Sequence, residues 1–267
     1  HSQALDSSQR LLNRGSMNES DGNPPVYIVL GAGGGIGTAA CRKLAAQGAR
    51  LVVAGRRPET LAPLAADLGA ISVELDASDV DQVAACFSKT LDELGAIHGA
   101  VNCVGSLLLK PADRTSQVEW DDTLATNLGS AFATVRAAAK TMIDGGSVVL
   151  LSSAAGEVGL VNHDALAAAK AGVVGLARSA AATYASRGLR FNCVAPGMVR
   201  TTLTRPMTEN ELTLKGAVAM HPLGRIGTAE EIASAIAFFL SSDQSWVTGE
   251  VLCVDGGLAR VRPRVRV

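Results

Sequence analysis

Val26-Tyr27-Ile28-Val29-Leu30, followed at once by Gly31-Ala32-Gly33-Gly34-Gly35-Ile36-Gly37, is the stretch on which the fold turns. Five apolar, mostly β-branched or aromatic residues make a run too short for a helix and well suited to a strand buried on both faces. The glycines let the backbone turn tightly and come close to a pyrophosphate. Helical spacing then begins over Ile36–Gln47, so the phosphate charge would sit on free amides at a positive helix N-terminus. A glycine-rich turn alone says little. The strand before it and the helix after it supply the context that a dinucleotide-binding loop requires, against the alternative of a merely tight turn.

Working outward, similar short runs recur at Leu51–Ala54, Ile71–Leu75, Ala100–Val104, Val148–Leu151, Leu189–Val194 and Val251–Val254. Between them lie stretches of helical spacing, among them Val80–Leu94, Leu128–Ile143, Leu166–Ala185 and Ala229–Leu240. Regular alternation of strand and helix calls for right-handed crossovers, and so for an α/β domain with a doubly wound, mainly parallel sheet, the Rossmann fold. No internal repeat or low-complexity linker divides the chain, which reads as one nucleotide-binding domain over residues 25–259. The least regular interior segment, Met198 to His221, is expected to form a lid over a substrate pocket.

The composition excludes several classes. At 267 residues the chain can bury a large core without staples, and 48% apolar content with a net charge of -1 is unlike a disordered chain. The apolar stretch Ala165–Ala182 is interrupted by Lys170 and Arg178, which argues against a membrane span. Five cysteines (Cys41, Cys86, Cys103, Cys193, Cys253) show no zinc spacing and read as small buried apolar residues in a reducing cytoplasm; no metal site is expected. Arg260, Arg262, Arg264 and Arg266 concentrate positive charge in a tail, 260–267, expected to be solvated or to touch another subunit. The remaining body is acidic, a poor partner for nucleic acid. Residues 1–16 look like an expression leader before a start at Met17, with 17–24 a short N-terminal segment.

The second strand decides between the two nicotinamide cofactors. An NAD-selective site would place Asp or Glu at its end to meet the adenosine ribose, but Val52-Val53-Ala54-Gly55-Arg56-Arg57 stands there. The guanidinium of Arg56, with Arg57 next to it, can pair with a 2'-phosphate that an acid would repel, so NADP(H) is favoured over NAD(H). Two solvated arginines at a helix start would leave the site indifferent to the phosphate.

The motifs then fall in a familiar order: Gly31-x-x-x-Gly35-Ile36-Gly37; Leu75-Asp76; Asn102-Cys103-Val104-Gly105; Asn127 in a helix; Ser152-Ser153; Lys170; Asn192-x-Val194-Ala195-Pro196-Gly197-x-x-x-Thr201; and Thr248-Gly249 leading to Val254-Asp255-Gly256-Gly257. In this order they resemble the short-chain dehydrogenase/reductase family, most closely bacterial 3-oxoacyl-carrier-protein reductases and related carbonyl reductases. The resemblance implies a seven-stranded sheet in the order 3-2-1-4-5-6-7, in a homodimer or homotetramer acting on a small molecule. It implies that Asp76 holds the adenine side, with a helix N-cap as the alternative, and that Asn102 and Gly105 line the cofactor cleft. Val194, Gly197 and Thr201 would lie along the nicotinamide, Pro196 and Val199 would also contact the cofactor, and Lys170 would bind the nicotinamide ribose.

The family's catalytic group is Asn, Ser, Tyr and Lys, with tyrosine four residues before lysine on one helix face. Asn127, Ser153 and Lys170 match it, but Leu166 stands where the tyrosine belongs. The chain has only two tyrosines. Tyr184 lies 18 residues beyond Leu166, about 27 Å along a helix axis, and cannot serve. A positioned acid contributes about 10²–10⁴-fold, so its loss slows reduction without abolishing it. His163, or Lys170 through an ordered water, are candidate donors, although His163 reads equally as a cap or loop residue beside Asp164. Asn127 could instead stabilise a helix kink and Ser153 cap a strand end. Three functions remain open: a hydride-transferring oxidoreductase with an atypical site, a non-catalytic NADP(H)-binding sensor or structural subunit, and elimination or isomerisation by Ser153 and Lys170.

Overall fold

The computed structural model describes residues 23–262. The expected leader 1–16, most of the 17–24 segment and the tail from 263 lie outside the described residues. Seven strands, β1 (Val26–Leu30), β2 (Arg50–Gly55), β3 (Ile71–Glu74), β4 (Gly99–Asn102), β5 (Gly146–Leu151), β6 (Leu189–Pro196) and β7 (Val251–Val254), form one sheet in the order 3-2-1-4-5-6-7. All neighbours pair in parallel, and β1 lies between β2 and β4: Leu30 is opposite Ala54 of β2 and Asn102 of β4.

Because successive strand residues point to opposite faces, an unbroken apolar run feeds two cores. Tyr27 and Val29 pack with Leu51, Val53, Val101 and Val149 under the helices α1 (Gly35–Ala46), α2 (Pro58–Leu68) and α9 (Ala229–Leu240). Ile28 and Leu30 pack with Val52, Ala54, Ala100, Val148 and Leu150 under α3 (Val80–Leu94), α5 (Ser130–Thr141) and α6 (Asp164–Tyr184). Phe87, Phe191 and Phe239 are the largest fully buried side chains, whereas Phe132, Phe238 and Trp246 are exposed.

Several elements depart from the sequence reading. The helix expected over Leu128–Ile143 is preceded by α4 (Gln117–Leu124) and joined to it through a π-helical turn, Ala125–Gly129. The lid segment is less irregular than its composition suggested, for it contains α7 (Arg205–Thr208) and α8 (Glu211–Met220), the latter capped by Asn210, whose Oδ1 accepts from the Thr213 amide at 2.9 Å. The α6 helix with its following turn, Asp164–Arg187, is long and apolar enough to cross a membrane by length and composition. Its Val173, Val174, Ala177, Ala180 and Ala181 instead pack into the core, which accounts for its apolar character. Arg260 is not simply solvated, since it pairs with Glu157 at 3.2 Å and ties the start of the tail to the loop after β5. Arg262 is exposed.

Candidate functional site

The carboxyl ends of β1, β2, β4, β5 and β6 open on one edge of the sheet, where the glycine loop begins. Gly31 has φ +75°, and a Cβ there would lie 2.9 Å from the Cys103 carbonyl carbon and the Val104 amide nitrogen. A Cβ on Gly37 would collide with the Gly31 carbonyl oxygen, so α1 can sit this close to β1 only with glycine there. Gly33 lies against the Thr60 hydroxyl and Gly35 against Thr201, where a Cβ would come within 2.9 Å of the threonine side chain. No side chain caps α1 at Gly34, which leaves its first-turn amides for an anion, and Ile36 anchors the turn against the core. A bare, sterically crowded loop at a helix N-terminus is the cradle a pyrophosphate fits.

Arg56 and Arg57 are exposed at the end of β2, where Arg57 is the N-cap of α2. Asp76 lies close enough to Arg56 to feel its charge. Its Oδ1 accepts from the Ser78 amide at 2.9 Å and the Ser78 hydroxyl at 2.7 Å, and these bonds, with Arg56, hold its carboxyl below the usual range. Asp76 is therefore not the helix N-cap. Asp79 has that role, accepting from the amides of Asp81 and Gln82. Asn102 is 3% exposed and turns its side chain into the scaffold, donating to Ser130 and Thr134 of α5 and accepting from the Val104 amide.

Four elements bring the remaining polar residues together. The π turn aims Asn127 at the loop after β4: its Nδ2 donates to the Thr123 carbonyl and to the Ser106 hydroxyl, and its Oδ1 accepts from the Ser106 amide at 3.2 Å. Lys170, 6% exposed, donates from Nζ to the Leu151 carbonyl at the end of β5 at 2.8 Å. Both converge on Gly105, where a Cβ would lie 3.2 Å from Asn127 Oδ1 and 3.6 Å from Lys170 Nζ. Burial pushes the Lys170 ammonium down to about 8, against smaller opposing effects of the Cys193 and Cys103 thiols. The same burial raises Cys193 to about 12 and Cys103 higher, so these thiols stay protonated.

Ser153 caps the short turn Ala154–Gly156, its Oγ accepting from the Ala155 amide at 3.1 Å, which leaves its own proton to give. Its neighbour Ser152 donates to the Lys170 carbonyl and locks α6 to β5. Leu166 is 5% exposed, one turn before Lys170 on the same face of α6. His163 is the N-cap residue of α6 without a side-chain cap bond; its Nδ1 lies 2.7 Å from the Val161 carbonyl beside Asn162, which holds the positive φ of 63°. The structure thus turns the imidazole toward its own loop, and its hydrogen bond is to neither Ser153 nor Lys170.

At the end of β6, Pro196 closes the strand opposite Val254, Val199 bridges to Gly227, and Thr201 lies over Gly35. Gly197 admits the buried ring of His221, to which a Cβ would come within 2.6 Å. Of the expected lid residues, Leu203 and Leu212 are exposed while Met207 and Leu214 are half-buried. Ser106 and His221 escaped the sequence reading. Ser106 directly follows Gly105, which could have marked it; the contacts of His221 link positions 23 residues apart and leave no local signal. Among the described residues no group of three or more His, Cys, Asp or Glu could hold a metal.

Comparison with known proteins agrees with this geometry. Residues 31–259 match the family model described as Enoyl-(Acyl carrier protein) reductase. The chain is 38% identical over 246 residues to the 3-oxoacyl-acyl-carrier-protein reductase FabG of Chlamydia muridarum, covering 87% of this chain and 96% of the relative. It is 34% identical to the protein of the same name from Escherichia coli, covering 88% and 98%. Among solved structures, a short-chain type dehydrogenase/reductase from Mycobacterium ulcerans superposes with a TM-score of 0.85 at 31% identity, covering 88% of this chain and 90% of that one.

Proposed function

Because the chain belongs to the short-chain dehydrogenase/reductase family, we propose that it is an NADP(H)-dependent oxidoreductase moving hydride between the nicotinamide and a small carbonyl or alcohol substrate. The observation that carries this is the convergence of Asn127 Oδ1 and Lys170 Nζ on Gly105, beside the glycine cradle. The reading takes the protein as cytoplasmic, a homodimer or homotetramer, and free of nucleic-acid and membrane partners; its cysteines, all free, accord with a reducing compartment.

NADPH, when bound, supplies the hydride. The loop Gly31–Gly37 would hold the pyrophosphate on its amides, Arg56 would pair with the 2'-phosphate, and Asp76 would meet the adenine side. Segment 196–201 would flank the nicotinamide, and Lys170, whose Nζ donates to the Leu151 carbonyl, would give its remaining protons to the ribose. Ser153 donates a hydrogen bond from its free hydroxyl to the substrate oxygen and keeps its proton. Leu166 supplies no acid, so a water held at Lys170 delivers the proton. An ammonium pushed down to about 8 is close enough to neutral pH to release one proton and recover another. His163 is the second candidate donor, through the ring nitrogen that does not face Val161.

A panel of ketones, quinones and acyl thioesters should include one that oxidises NADPH in the presence of the purified protein. Tight NADPH binding without oxidation across the panel would favour a non-catalytic sensor or structural subunit, the alternative that the buried, apolar Leu166 supports. Replacing Arg56→Glu should weaken NADPH about tenfold or more and leave NADH nearly unchanged, since a charge-assisted pair to the phosphate is lost. Fluorescence titration with both cofactors reads the difference, and equal losses for the two would count against a 2'-phosphate role.

A further inference from the structure

We propose that the neutral imidazole of His221 latches the segment 198–221 to the carboxyl end of β6, and that acidification releases it. This rests on reading 198–221 as the lid and 196–201 as the cofactor-facing strip. It adds a means of regulating that site.

His221 ends α8 and is 3% exposed. Its Nδ1 lies 2.6 Å from the Ala217 carbonyl, and its Nε2 lies 3.1 Å from the Met198 amide. A carbonyl only accepts and an amide only donates, so Nδ1 carries the proton and Nε2 presents its lone pair. One tautomer of the neutral ring satisfies both partners. A second proton would point Nε2–H at the Met198 N–H, turning a hydrogen bond into two opposed donors in a buried place. Gly197 is shaped for this contact, because a Cβ there would stand 2.6 Å from Nε2.

Little else holds α8 down. Ala217 is its only buried residue, and Leu212 on its outer side is 82% exposed. The charged groups around the ring are already engaged. From the loop after β7, Asp255 accepts from the amides of Gly257 at 2.9 Å and Ala259 at 2.8 Å. From the turn after His221, Arg225 is held by both carboxylate oxygens of Glu231. Arg260 pairs with Glu157, and on α8 itself Lys215 pairs with Glu211. Among the described residues the ring's hydrogen bonds are the two to Ala217 and Met198, while the carboxylate of the neighbouring Asp255 accepts from the Gly257 and Ala259 amides rather than from the ring.

Hydrogen exchange of the cofactor-free protein, corrected for intrinsic rates, tests the latch. Between pH of about 8 and about 5.5, where imidazoles change charge, protection of peptides from 198–221 should fall about tenfold while β1 peptides stay unchanged. In His221→Gln, whose side-chain oxygen can accept from Met198 without titrating, lid protection should not change with pH. A pH-independent lid in the wild type, or an equal fall in the variant, overturns the proposal. Should the variant not fold, nitrogen NMR of the wild-type ring decides: the Nδ1–H tautomer must be present at high pH and vanish in step with the loss of protection. Neither measurement involves hydride transfer, so an inactive protein with a working latch, or the reverse, separates this proposal from the oxidoreductase reading.

Discussion

Leu166→Tyr is expected to raise the rate of NADPH-dependent carbonyl reduction by about two orders of magnitude, within the 10²–10⁴ that a positioned general acid contributes. Position 166 lies one turn before Lys170 on the same face of α6, so a phenol there meets the ammonium that lowers its pKa. Nothing else in the site need move. Asn127 is held on Ser106 and Thr123, Lys170 on Leu151 and Ser153 on Ala155, each by bonds that do not involve Leu166. The cost is steric: Leu166 is 5% exposed, and enlarging a buried side chain costs about 1–3 kcal/mol. Steady-state kinetics on whichever substrate the panel yields, with NADPH affinity measured in parallel, reads the outcome. Unchanged affinity with no gain would show that the pocket itself has diverged, and would move the weight toward the non-catalytic binder.

The inner strands could be read from the sequence because they are buried on both faces and so keep an apolar run, whereas the edge strand β3, Ile71–Glu74, alternates half-buried and exposed residues. Val26–Leu30 and Val251–Val254 are matched residue for residue, while β4 ends at Asn102, two residues short of the expected Val104. The helices that sequence reading passed over carry weaker signals. In α2 Pro63 lies inside the helix and interrupts a stripe formed by Leu61, Leu64, Ala65 and Leu68; in α8 only Ala217 is buried. The motif residues were legible because glycine and asparagine are placed by local backbone demands, as at Gly31 and Gly37. The reassignment of the cap from Asp76 to Asp79 was not, since both sit just before α3 and only the direction of the chain decides between them. Ser106 and His221 act through contacts between distant segments, which spacing alone does not encode.

Lys170→Met is expected to lower carbonyl reduction at least a hundredfold while making the protein more stable at neutral pH. The loss follows from removing the group proposed to bind the ribose and relay the proton, of the size general acid–base catalysis supplies, about 10²–10⁴-fold. The gain follows from the sign of the shift. Burial lowers the ammonium from 10.5 to about 8, so the unfolded chain holds this proton more tightly than the folded one. Below about 8 the lysine is charged in both states and the folded protein bears the full cost; as pH rises from about 8 to 10.5 that cost disappears. A shift of this size corresponds to about 3 kcal/mol at 1.36 kcal/mol per unit. Leaving the Leu151 carbonyl without its donor takes back about 1–3 kcal/mol of that, so a net rise of at most about 2 kcal/mol is expected at pH near 7. Urea unfolding across pH distinguishes the causes. The variant's advantage should shrink and reverse toward pH of about 10.5, where the buried ammonium no longer weighs on the wild type but the lost hydrogen bond still weighs on the variant. An advantage that stays constant with pH would mean that packing, not the charge, accounts for it. A variant that keeps both its activity and its pH-dependent stability would remove Lys170 from the site altogether.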